Sequence, residues 1–442
     1  MRQEVKVLWT YIAPSIVGAL IAGSFSIVDT IFIGHGMGKI GLAAVALTWP
    51  PVMLVNAAGS LLGAGAAVLI SQARGAGDES RARRVFGNLL TLQILVSLVL
   101  GAGMFIFCRP ILELLGATPE LLPTAMEYAR VILLGSFICM FMTGCLEVVR
   151  NDGRPVLSMW LLVVGLLGNI FLDWLFIFVF DWGAEGAAAA TVASQGFSGL
   201  CGLIYFLSPK TQLKWTLRTL VPAKETVRDI SVTGLPIFGN MLSIIAMLFM
   251  HNFQSLRIGG VDGLAAYTLV AAVESVGSMM MTGLAGGIQP LVAKMYGGKK
   301  WRLQNRFGNY GYATAFATGV VMMLFSFAMR DVMPSWVGLS GEVAELAAHG
   351  ILLSSPAFIL LGVVRVAGFY YQSTGKITAS SLLIYGDAFF ALPLCLFVLP
   401  IWLGMDGFWL AMPVSRVILF AMLCWLWFGK NRERGEERVG NV

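Results

Sequence analysis

Apolar residues fill this chain in long blocks separated by short polar stretches rich in glycine, proline and charge. The blocks show neither the period-2 alternation of a half-buried strand nor the narrow stripe of a surface helix. They are apolar on all sides over ~20 residues, the length a membrane-spanning helix needs. Their approximate centres fall near residues 20, 60, 97, 134, 167, 197, 242, 278, 316, 358, 390 and 416. The pattern predicts an all-α polytopic membrane protein of twelve transmembrane helices in two pseudo-symmetric six-helix lobes. The first block, from Leu8 to about Gly34, is interrupted only by small polar residues and Pro14 until one carboxylate, Asp29, near its end.

Composition agrees with that reading. Of the 442 residues 57% are hydrophobic and 12% charged, with a mean hydropathy of +0.80; a soluble domain carries about 25% charged residues. The first block is too long for the ~7–15-residue apolar core of a cleavable signal, so the expectation is a retained span. The six cysteines are scattered without CxxC spacing and read as small packing residues. The net charge of +6 could indicate nucleic acid, but its placement argues for topology. With both termini inside, the inner loops hold roughly 23 Lys and Arg against about 4 outside, Lys39, Arg109, Arg257 and Arg330. The expectation is therefore a multi-pass plasma (cytoplasmic) membrane protein with both termini cytoplasmic, the bilayer as partner and no nucleic acid.

The two halves overlay on one another. GLAA at 41–44 returns at 263–266, and the same shift of 222 carries Pro14 to Pro236, Gly75 to Gly297 and the turn 152–154 (DGR) to 374–376 (TGK). With one residue dropped, FGN at 86–88 matches 307–309. Six helices per half make the repeats parallel, one arrangement known among transporters. The expected domains are an amino-terminal lobe 1–207, a cytoplasmic linker 208–226, a carboxy-terminal lobe 227–429 and a basic cytoplasmic tail 430–442.

Few ionisable residues interrupt the apolar blocks, and each costs at least ~2.5–3.5 kcal/mol at a helix centre. Asp29 lies ~7 Å below the outer end of span 1, and Asp173 ~12 Å below that of span 5. Thr191 on span 6 sits at a similar depth, and Asn169 lies one turn from Asp173 on the same face. Two carboxylates, an amide and a hydroxyl thus gather in the outer half of one lobe, a donor set suited to a proton or a small hard cation. The alternative is a pair of acids bonded separately near the headgroups. Glu147 and Arg150, three apart, read as a local ion pair. In the second half Glu274, Asp387, Arg365 and His251 are candidates for a further coupling or substrate site, with structural pairing or a hydrogen-bonded core histidine as the alternatives. Arg365 is placed to neutralise either acid; Arg130 and Arg416 are expected to snorkel or pair. Patches of methionine and aromatic residues suit a cavity for varied lipophilic or cationic ligands.

Taken with the repeat and the helix number, the segments IVDTIFIG, GLAAVAL and LISQARGAGD resemble the multidrug and toxic compound extrusion (MATE) family over essentially the whole chain. The resemblance implies two six-helix lobes around a cleft and export of drugs or metabolites in exchange for H⁺ or Na⁺. In the subgroup with an amino-lobe cation site it assigns that role to Asp29, Asn169, Asp173 and Thr191, which would also be the Na⁺ ligands under sodium coupling. The family's other branch uses acids in helices 7 and 10. Span 7 here offers Asn240 and His251 instead, and span 10 offers Arg365 and Gln372, so that second site is not expected.

The expected function is a secondary active efflux antiporter for lipophilic or cationic compounds, monomeric and without a cofactor beyond the coupling ion. The alternative is a flippase or exporter of an amphipathic or lipid-linked precursor. No enzyme motif such as HExxH or GxSxG is present. The P-loop-like STGKIT at 373–378 lacks the leading glycine and the Ser/Thr after its lysine, so no nucleotide partner is expected.

Overall fold

A computed structural model describes residues 2–211 and 213–439, with side chains for 3–211 and 213–426. The side chains of the expected basic tail at 430–442 lie outside these. Among the described residues there is no strand. The helices are α1 (Arg2–Gly75), α2 (Glu79–Ile106), α3 (Cys108–Leu114), α4 (Leu122–Leu134), α5 (Ser136–Asn151) and α6 (Pro155–Asp173). A π-helical segment, Trp174–Val179, follows α6. Next come α7 (Gly183–Leu207), the one-turn α8 (Leu217–Leu220), α9 (Lys224–Gly297), α10 (Trp301–Met329), the one-turn α11 (Met333–Trp336), α12 (Gly341–Ser354) and α13 (Ala357–Ser373). Helix α14 (Ile377–Gly386), a second π segment (Asp387–Ala391) and α15 (Leu392–Val439) complete the chain.

Among the described residues, seven helical runs are long and apolar enough to cross a membrane. The pairs α4–α5 and α12–α13, bent by 55° and 48°, also qualify when each pair is taken as one span. Three of the seven are folded at a glycine. Gly38 in α1 has φ 63° and ψ −155°, and Gly260 in α9 has φ 62° and ψ −153°. Such angles are almost exclusive to glycine because a Cβ would clash. The two positions are 222 apart, so the repeat read from sequence is a repeat of backbone geometry. Gly404 folds α15 in the same manner at φ 56°, and its counterpart Gly183 starts α7 at φ 54°.

The chain divides into two compact units, Met1–Phe238 with Ala293–Trp301, and Gly239–Val292 with Arg302–Val442. In the first, α1 packs on α5 and α6, and α7 on α6 and α5. Lipid supplies little hydrophobic drive for helix association, so close packing of small residues must do the work. Gly63 sits against the Cα of Gly144. A side chain at Gly65 would strike the Ile230 carbonyl, and one at Gly234 the Leu61 carbonyl. Gly75 lies against the Lys294 carbonyl and Gly297 against that of Gln72, two contacts interchanged by the 222 shift. These approaches hold the start and the end of α9 in the first unit.

The segment between α7 and α9 is strapped to α2. The amide of Asn88 donates to the Thr219 and Val221 carbonyls at 2.9 and 3.0 Å and accepts from the Ala223 N–H at 2.8 Å. Thr91 donates to the Leu220 carbonyl at 2.6 Å, and Gly87 leaves room for Thr219. Nearby, the Asp152 carboxylate receives Arg74, Tyr205 and, at 2.8 Å, Thr211. Glu147 and Arg150 form the expected local ion pair. The second unit is built on α13 against α14 and α15, with α12 on α15. Its core includes Tyr267, Val270, Leu396, Phe408 and Trp409. All six cysteines are free thiols.

Candidate functional site

The first unit brings the four residues singled out by depth to one place. Asp29 comes from the arm of α1 before the Gly38 fold, Asn169 and Asp173 from one face of α6, and Thr191 from α7. Glycine and alanine allow this convergence. Gly165 meets Phe25 and Ser198, Gly168 meets Ser194, and Ala187, Ala188 and Ala190 are buried on α7. The Asp29 side chain faces those of Asp173, Asn169 and Thr191.

Within this group the polar atoms are close but incompletely satisfied. Asn169 and Asp173 are fully buried. Among the described residues, Oδ1 of Asp29, both amide atoms of Asn169 and both carboxylate oxygens of Asp173 are enclosed without a hydrogen bond of ordinary geometry. Buried polar groups are normally paired, and two facing carboxylates do not readily stay ionised together. The Thr191 hydroxyl donates to the Ala187 carbonyl at 3.1 Å, which leaves its lone pairs for another group. The set therefore offers carboxylate, amide and hydroxyl oxygens to a small positive charge. It contains only two acids, and among the described residues no group of three or more His, Cys, Asp and Glu is placed to hold a metal ion. These donors match a proton or a weakly held monovalent cation better than a tightly chelated divalent one.

Two features of the site were not anticipated from the sequence. Tyr128 of α4, buried, lies beside Asp29, Asp173 and Thr191. Its depth, about six residues inside the start of α4, would have flagged it had aromatic hydroxyls been weighed with the acids. Asp173 also closes α6 at the point where the helix widens into the π segment, a feature common at functional sites. One turn from Asp29, Asp173 and Thr191, toward the Gly38 fold and the start of α7, lie Ile33, Ile177 and Ala187, all buried in one apolar cluster. The polar site thus has an apolar layer on the side of the Gly38 fold.

The second-unit candidates also meet, with pairings the sequence left open. Arg416 forms an ion pair with Asp387, and both side chains are largely buried. Asp387 opens the second π segment. Among the described residues Arg365 forms an ion pair with neither acid; it bonds to Asn240 and donates to Ser278 Oγ at 3.3 Å. The charge of Arg416 reaches Glu274, His251 and Arg365. His251 is buried, with Nδ1 2.8 Å from the Met247 carbonyl, its ring stacked on Tyr267 at 5.2 Å and Phe408 edge-on at 5.8 Å. This is the packing of a core histidine. Arg130 is exposed on α4.

An all-helical, multi-pass chain that repeats its backbone and buries a polar cluster at membrane depth belongs to the class of membrane transporters. The MatE family model matches residues 14–175 and again 236–397, two matches separated by the shift of 222 already seen in sequence and backbone. The chain belongs to the MatE family. It is 24% identical to the multidrug export protein MepA of Staphylococcus aureus (strain MSSA476) over 95% of this chain and 92% of that protein. An outward-facing multidrug resistance MATE family transporter of the MOP superfamily superposes with a TM-score of 0.91 at 24% identity, covering 97% of this chain and 96% of that one. A MOP superfamily transporter from Pyrococcus furiosus gives a TM-score of 0.86 at 25% identity over the same shares.

Proposed function

We propose that this MATE family member is a secondary active multidrug efflux antiporter of the plasma membrane. It exports lipophilic or cationic compounds in exchange for H⁺ or Na⁺, through twelve crossings with both termini cytoplasmic. The observation that carries this reading is the convergence of Asp29, Asn169, Asp173 and Thr191 with five of their polar atoms buried and without a hydrogen bond of ordinary geometry. A proton or Na⁺ entering there relieves the facing carboxylates and supplies the missing partner. Binding energy of that kind shifts a transporter between outward- and inward-facing states when the two states differ in ion affinity. Similarity to MepA supports drug-like cargo. Positive-inside charge supports the orientation, and one chain holding both repeats supports a monomer.

The test is export of a lipophilic fluorescent cation from reconstituted vesicles under separate H⁺ and Na⁺ gradients. Wild type is expected to respond to one gradient, which names the ion. Asp29→Asn is expected to bind dye and lose that response. Normal gradient-driven export by Asp29→Asn would remove the site from the coupling role.

A further inference from the structure

Among the described residues of the second unit, Arg365 forms no ion pair. Arg365 lies in the middle of α13, half-buried. Its guanidinium is held by the Asn240 amide oxygen and, at 3.3 Å, by the Ser278 hydroxyl. Both are neutral acceptors, which orient the guanidinium without cancelling its charge. Among the described residues no carboxylate comes within ion-pair distance of it, because Asp387 is taken by Arg416. Glu274 lies one turn before Ser278 on the same face of α9, and among the described residues its carboxylate makes neither a hydrogen bond nor an ion pair. Arg365 and Glu274 do not pair with each other, and each lies within the field of the Arg416–Asp387 pair.

We infer that Arg365, oriented by Asn240 and Ser278, receives an acidic group of the exported compound, a carboxylate or an equivalent oxyanion, while Glu274 receives its cationic part. The site then favours amphipathic zwitterions over simple lipophilic cations. An ionisable group at membrane depth that forms no ion pair marks a ligand path by default. A planar guanidinium fixed by two neutral contacts keeps N–H donors for a two-point bond to a carboxylate. A lysine would hold the charge there but not the fork. The inference rests on the efflux reading above, since it concerns the cargo of that transporter.

The test uses the purified full-length protein in detergent and equilibrium binding of two probes. One is a xanthene dye with a free carboxylate, the other its ethyl ester, which keeps the cationic ring and loses the acid. Wild type is expected to prefer the acid by about tenfold, the lower range for a charge-assisted hydrogen bond. Arg365→Gln should bring the two affinities together while still binding the ester, and Arg365→Lys should keep part of the preference. Glu274→Gln should weaken both dyes. If Arg365→Gln does not fold, Asn240→Ala, which frees the guanidinium, should lower the acid-to-ester ratio several-fold. Equal binding of both dyes by wild type would overturn the inference, as would a preference unchanged in Arg365→Gln or Asn240→Ala. Binding is read without a gradient, so a failure here with gradient-driven ester export intact would leave the antiport reading standing.

Discussion

Asp173 and Asp387 each stand where an α-helix widens into a π-turn, one in each unit, yet their surroundings differ. Asp387 is neutralised by Arg416. Asp173 faces a second acid, an amide and a hydroxyl, with no base among them. An acid held that way is a cost to the fold in the absence of its ligand. Asp173→Asn should therefore leave thermal stability in detergent unchanged or raised, while gradient-driven export is lost; a clear fall in Tm would indicate an acid that serves the fold. Depth along the helices was enough to pick Asp29, Asn169, Asp173 and Thr191 from sequence, because a transmembrane helix converts residue number into height. Depth does not convey helix phase between neighbours. That is why Tyr128 went unseen, and why the choice of Arg416 over Arg365 as partner of Asp387 was open until side-chain directions were known.

At the scale of elements, the spans were legible as apolar blocks, but their joints were not. Hydropathy carries no sign of a backbone at φ 63° and ψ −155°, so the glycine folds at Gly38 and Gly260 appeared only in the structure. Alanine at either position should destabilise the protein by roughly 1–3 kcal/mol, the cost of forcing a Cβ into that region. The measurement is thermal unfolding of Gly38→Ala and Gly260→Ala in detergent, and an unchanged Tm would count against a glycine requirement. The linker is a second case. A polar, basic run with two prolines read as a connector, yet Asn88 and Thr91 bind it to α2 through backbone groups, and backbone acceptors leave no trace in residue identity. Asn88→Ala should cost about 1–3 kcal/mol, with proteolysis between residues 213 and 223 accelerated. Cleavage at the wild-type rate would mean that the strap is not held by Asn88.

For the whole molecule, one shift of 222 residues relates sequence matches, glycine folds and the two family-model matches. The repeat is one of scaffold and not of chemistry. His251, the counterpart of Asp29 under that shift, is packed between aromatic rings. The first unit keeps an acid cluster, and the second a mixed set of two arginines and two acids. That asymmetry suits a division of labour in which one half binds the driving ion and the other contacts cargo. The most direct test follows ion entry and dye exit together in the same proteoliposomes. Wild type should move a fixed number of ions inward for each dye molecule exported, and Asp29→Asn should lose both fluxes while retaining dye binding. Dye export that proceeds with no accompanying ion entry would contradict the account.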